Sequence, residues 1–143
     1  MDRREQVIAR LVQIAAGVPG IAVALRNIDT LSERQRPGII VFDGDEAVDL
    51  PPPGRAGPSM VSMTPEVVLA LGDKAEAVGT SLNGYRAAFL KAVLTDATLR
   101  GIVGPNGRVL YQGCASAFAR GRTMEGEMGI SLSIEYPLNP AEL

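Results

Sequence analysis

An α+β domain with a mostly antiparallel sheet follows from three features of this sequence. Residues 124–136 alternate with period two: Met124, Met128, Ile130, Leu132, Ile134 and Tyr136, with Gly126, share one parity, and Glu125, Glu127, Ser131, Ser133 and Glu135 share the other. Two stretches, 2–16 and 80–95, carry apolar side chains at helical spacing. Between and after them lie short apolar runs bounded by glycine and proline, at 21–25, 37–42, 60–71 and 108–112.

The alternating stretch reads as one long strand with a buried and a wet face, because successive strand side chains point to opposite sides. A helix is disfavoured by Gly126 and Gly129 and by the lack of a 3.6-residue period. At roughly 3.4 Å per residue the strand spans about 40 Å, so its apolar face needs a broad cover, and the two helices supply it.

The chain has 143 residues, enough for one domain with its own core, and a single domain over 1–143 is expected. Hydrophobic residues make up 46% and charged residues 21%, the balance of a globular chain. A net charge of -2 gives no global pull toward nucleic acid or an anionic membrane. No apolar run has the length of a membrane span, and the MDRREQ start lacks the apolar core of a signal peptide. The single cysteine, Cys114, excludes an internal disulfide framework and fits a reducing compartment. The absence of histidine removes the commonest general base and metal ligand.

In chain order, Asp2 and Glu5 have capping-box spacing for a helix over 2–16, with Val7, Ile8, Leu11, Val12, Ile14 and Ala15 as its apolar stripe. Gly17 and the Pro19-Gly20 pair end it. A strand over 21–25 and a polar loop over 26–36 follow, then an interior strand over 37–42. Asp43-Gly44-Asp45-Glu46 reads as a turn that opens a proline-rich exposed arm over about 43–59. Pro65 predicts a bulge or an edge position in the strand over 60–71. Thr80 or Ser81 is the expected cap of the second helix, whose inner face is Leu82, Tyr85, Phe89, Ala92 and Val93. Asp96 is placed to cap a short turn over 99–103. The glycine-rich turn 104–107 leads to a strand over 108–112. The small-residue run 113–123 then forms the mobile tip of a hairpin with the last strand. The sum is a two-layer sandwich, two helices packed on one face of the sheet, with long loops and a C-terminal hairpin.

Catalytic chemistry finds little support. Cys114 has no histidine to activate it and reads as a small packing residue. Neither GxSxG nor a phosphate-binding glycine loop is present. The acids Asp43, Asp45, Glu46 and Asp49 are the one candidate for a hard cation, which leaves a metal-dependent or small-ligand-binding domain as a rival from a different class. They lack the spacing of an EF-hand loop, and a solvated turn or a polar interface patch explains them better. No catalytic residue, cofactor site or metal site is assigned.

Charge distribution says more. Residues 43–58 hold Asp43, Asp45, Glu46 and Asp49 against Arg55, whereas 104–123 hold Arg108, Arg120 and Arg122 and no acid. An acidic arm and a basic tip on one small domain could pair between copies in a heterologous contact, which closes into a ring when the rotation permits. The alternative is two solvated loops. The acids of the last strand would likewise suit a passage that DNA traverses without sticking, or be an ordinary wet sheet face.

The order of elements, with PGIIVFDGDE at 37–46, TSLNGYRAAFLKAVLTD at 80–96, GRVLYQG at 107–113 and a closing strand ending in IEYPLNP, resembles the tail terminator (tail completion, lambda-type minor tail protein) family of long-tailed bacteriophages. Relatives in gene transfer agents and neck or head-closure proteins share these features. The resemblance covers nearly the whole chain and rests on architecture, not on catalytic signatures; the arm over 49–59 lies outside that pattern. It implies a non-enzymatic, cofactor-free virion protein. Such a protein forms a ring, usually hexameric, at the head-proximal end of the tail tube. It assembles in the host cytoplasm, ends tube polymerisation and presents the head-joining surface. The implied partners are other copies of the chain, the tail tube protein and a head-closure or neck protein, with no membrane and no sequence-specific nucleic acid. A head-closure or neck connector ring is the nearest alternative. Asp43, Asp45 and Glu46 on one side, and Arg120 and Arg122 on the other, are the expected interface residues.

Overall fold

Asp2 starts the first helix, α1 (Arg3–Ala16): its carboxylate accepts from the Arg4 N–H at 3.0 Å, satisfying one of the orphan donors of the first turn. The computed structural model describes residues 1–74, 76–119 and 124–143. After α1 come β1 (Val23–Arg26), a 3-10 turn (Glu33–Gln35), β2 (Gly38–Asp49), β3 (Met60–Asp73), α2 (Val78–Leu94), α3 (Ala97–Val103), β4 (Arg108–Ala119), β5 (Met124–Pro137) and a last 3-10 turn (Pro140–Glu142).

The strands form one sheet in the order β1-β2-β3-β5-β4. Only β1 and β2 run parallel; β2 with β3, β3 with β5 and β5 with β4 are antiparallel. The expected α+β class is therefore found, with a mixed, mainly antiparallel sheet. A third helix joins the two expected ones: the turn after Asp96 is α3, capped by the Asp96 carboxylate on the Leu99 N–H at 2.8 Å.

All three helices lie on one face. Met128, Ile130, Leu132, Ile134 and Tyr136 of β5 are buried in one cluster with Val7, Ile8 and Leu11 of α1, Leu82 and Phe89 of α2, and Leu99 of α3. Each such side chain contributes about 1.5–3 kcal/mol by leaving water. Close approach of α2 needs a glycine: a Cβ on Gly126 would lie 2.8 Å from Val78 Cγ2 and 2.9 Å from Leu82 Cδ1. A smaller cluster of Leu31, Ile40 and Ala70, backed by Val23, Leu25 and Phe42, covers only the β1 corner of the other face.

Several boundaries differ from the sequence expectation, each for a physical reason. Asp43 to Glu46 is not a turn. The strand passes through a β-bulge between Phe42 and Asp45 and continues to Asp49, so the proline-rich arm shortens to residues 50–59. Gly44 makes this possible, with φ +68° and a backbone so close to β3 that a Cβ would fall 2.1 Å from the Thr64 carbonyl oxygen. Of the two expectations for Pro65 the bulge is found, in the facing strand, and the edge is not: the residue is buried in a central strand. Its missing N–H is tolerated because the β2 bulge lies opposite, between the Phe42–Glu66 and Asp45–Thr64 pairs. Strand β1 is shifted to Val23–Arg26. Helix α2 starts at Val78 without a side-chain cap; Ser81, an expected cap, donates to Asp73 Oδ2 at 3.2 Å instead. Glu5 does not close the capping box, because Arg26 holds its carboxylate. The small-residue run is strand as far as Ala119, so β4 is far longer than predicted, and Cys114 is exposed on it instead of packed.

Candidate functional site

Period-two alternation splits the sheet into a clad and an open face. The ladder registers run in rows across the open one: Ala47, Ser62, Glu135 and Arg108; then Phe42, Glu66, Ser131 and Gly113; then Ile40, Val68, Gly129 and Ala115; then Gly38, Ala70, Glu127 and Ala117. Beyond the β1 corner the surface is made of small side chains with carboxylates standing among them. Arg108 clamps Glu135 at 2.7 Å and Arg36 reaches Glu125 at 2.9 Å. Among the described residues Asp45, Asp49, Glu66 and Glu127 have no ion-pair partner, so the face carries excess negative charge. Among the described residues no helix crosses it.

The acids singled out in the sequence do not converge. Asp43 points to the clad face, where the guanidinium of Arg26 donates to it at 2.8 and 2.7 Å and the Asn27 amide at 3.1 Å. Arg26 simultaneously grips Glu5 at 2.7 and 3.0 Å, tying α1 to the sheet. Hydrogen bonds from Arg26 hold both carboxyls below their ordinary range, against the opposing effect of burial. Asp43 is thus an intrachain partner and not a free contact. Asp45 lies on the open face, paired across the ladder with Thr64. Glu46 turns the other way, into a cleft of about 120 Å³ with Arg3, Arg4, Tyr136 and Glu142. Burial pushes the Tyr136 hydroxyl up to about 12, and the Glu46 charge adds to it. Carboxylates on opposite faces of a strand cannot share one cation, and among the described residues no three metal-ligating side chains gather. Arg120 and Arg122 lie outside the described residues.

A surface cleft of about 580 Å³ runs between α3 and the start of β4, with Arg100, Gly104, Pro105, Arg108 and Leu110 on its walls. It offers two cations and exposed backbone but neither a nucleophile nor a base. Elsewhere on the clad side, Arg86 donates to the Tyr111 hydroxyl at 3.1 Å and stacks over its ring at 5.5 Å, fastening α2 to β4.

Sequence reasoning missed the edges. Among the described residues strand β4 has a neighbour on one side only, and its residues 114–118 are exposed. Strand β2 is covered on its outer side by β1 only at residues 38–41. The apolar run Val109-Leu110-Tyr111 marks the start of β4, but the alanine- and glycine-rich run after it lacks the branched residues that mark a strand.

Among the described residues no helix is long and apolar enough to cross a membrane. Neither a family model nor a curated protein sequence matches this chain.

Proposed function

We propose that this protein is a non-enzymatic assembly protein of a tailed phage or phage-like particle. It forms a ring at the head-proximal end of the tail tube, ends tube growth and offers the head-joining surface. The observation that carries this reading is the open sheet face, where among the described residues Asp45, Asp49, Glu66 and Glu127 have no ion-pair partner and every helix lies on the opposite side. Turned toward a lumen, such a face repels phosphates and lets DNA slide past without sticking. The helices would then form the outer wall. Subunit contacts would include Asp45 and, from the sequence, Arg120 and Arg122. The split of the DGDE acids between two faces speaks against the cation-binding rival. Mixing the protein with purified tail tubes and with filled heads, followed by negative-stain imaging, tests the reading. A cap on one tube end is expected. Caps on heads alone would make it a neck ring, and decoration of neither would overturn the reading.

A further inference from the structure

The two open edges of the sheet differ in a way that fits them to each other. Residues 45–49 of β2 present their outer main chain beyond the end of β1. There Asn27, with φ 53°, terminates β1 and accepts the Asp43 N–H at 3.1 Å on its side chain. Strand β4 presents its whole outer side. Unpaired edges of this kind are templates for another strand.

We propose that the first part of β4 in one copy adds antiparallel to residues 45–49 of β2 in the next, joining the sheets of neighbouring copies head to tail. The proposal rests on the ring reading above and specifies its contact. Four observations support a second copy as the occupant. Direction comes first: three antiparallel steps separate β2 from β4, so the two run oppositely, and a rotation about an axis along the strands sets them antiparallel. Level comes next. The row Ala47, Ser62, Glu135, Arg108 means that a rotation without rise brings Arg108 beside Ala47, between Asp45 and Asp49 on the same face.

Charge is the third. The uncovered part of β2 carries Asp45, Glu46 and Asp49 with no base, and β4 carries Arg108, which also pairs with Glu135 of its own chain, and no acid. Arg100 stands in the adjoining cleft. Two β2 edges would set acids against acids, so the fit is heterologous. The fourth is a pair of bulges. The β4 bulge between Tyr111 and Gly113 lies in the row that ends at Phe42, one residue beyond the last β1 partner, Val41. A strand running along β2 would meet the end of β1 at that level, and a bulge bends β4 where it must turn aside.

The experiment replaces the one cysteine by Cys114→Ser and adds Leu110→Cys together with Asp45→Cys, Ala47→Cys or Asp49→Cys in three separate variants. Leu110 sits on the open face, outside the helix-covered core, so the monomer keeps its fold. Each variant is oxidised both on tail tubes and as concentrated free protein, then run on a non-reducing gel. Directly opposed strand residues lie within disulfide reach, so one pair should give a ladder of covalent multimers up to the ring number while every single-cysteine control stays monomeric. Caps on tubes without any ladder would overturn the edge pairing and leave the ring reading standing. A ladder in free protein without caps would do the reverse. Dimers from Leu110→Cys alone would reveal a twofold β4 contact, and no ladder in either sample would also overturn the proposal.

Discussion

The two faces of the sheet are built from alternate residues of the same strands, yet they obey different constraints. On the clad face Ile130, Leu132 and Ile134 are at most 1% exposed and touch all the helices' cluster. On the open face Glu127 and Ser131 meet solvent. The first parity is held by packing, where lost volume is felt at once. Apart from the buried Ser133 and the small cluster at the β1 corner, the second is free of the core and available for what the protein meets.

Breaking that contrast should produce effects of very different size. Leu132→Ala should cost about 2–5 kcal/mol in urea unfolding, while Ser131→Ala, one residue away, should stay within about 0.5 kcal/mol. Equal effects would show that the faces are not distinct. Gly44→Ala, which drives a methyl into the Thr64 carbonyl at a positive φ, should cost about 2 kcal/mol and disturb the β2 bulge, which amide chemical shifts around residues 42–45 would report.

The pH dependence sharpens the contrast on the clad side. Arg26 lowers the pKa values of Glu5 and Asp43 from 4.5 and 3.8, so the unfolded chain takes up protons before the folded one as pH falls. The stabilisation is present above the ordinary carboxylate range and is lost as pH drops through the lowered folded values. Melting temperature should therefore be level near neutrality and decline below about pH 4, with a shallower decline in Arg26→Gln. The smallest effect on stability belongs to the open face. Glu66→Lys with Glu127→Lys should leave the melting temperature nearly unchanged. It should also create salt-dependent DNA retention that the wild-type chain lacks, measured by gel shift at low and high salt.

Much of the fold was legible because its signals are local. The alternation of residues 124–136, the α1 stripe and the Asp96 cap are written within a few residues of one another. The bulge at Gly44 and the central place of Pro65 were not legible singly, because each is permitted by the other strand. The same holds for Asp43, whose partner Arg26 lies in a different strand. Of the candidate site, the acid row on β5 was visible as parity. The open edges were not, since an edge is a statement about which strands are missing beside it. The alanine-rich part of β4 was hidden by composition: small residues are weak strand formers on their own, and here pairing with β5 decides their conformation.

The most direct measurement is light scattering of the protein across concentration and salt, alone and with tail tubes, with images of the same samples. Closed rings of one discrete multiple of the chain mass are expected, or a monomer that forms such a ring at one tube end when tubes are added. A chain that stays monomeric under all these conditions would contradict the account.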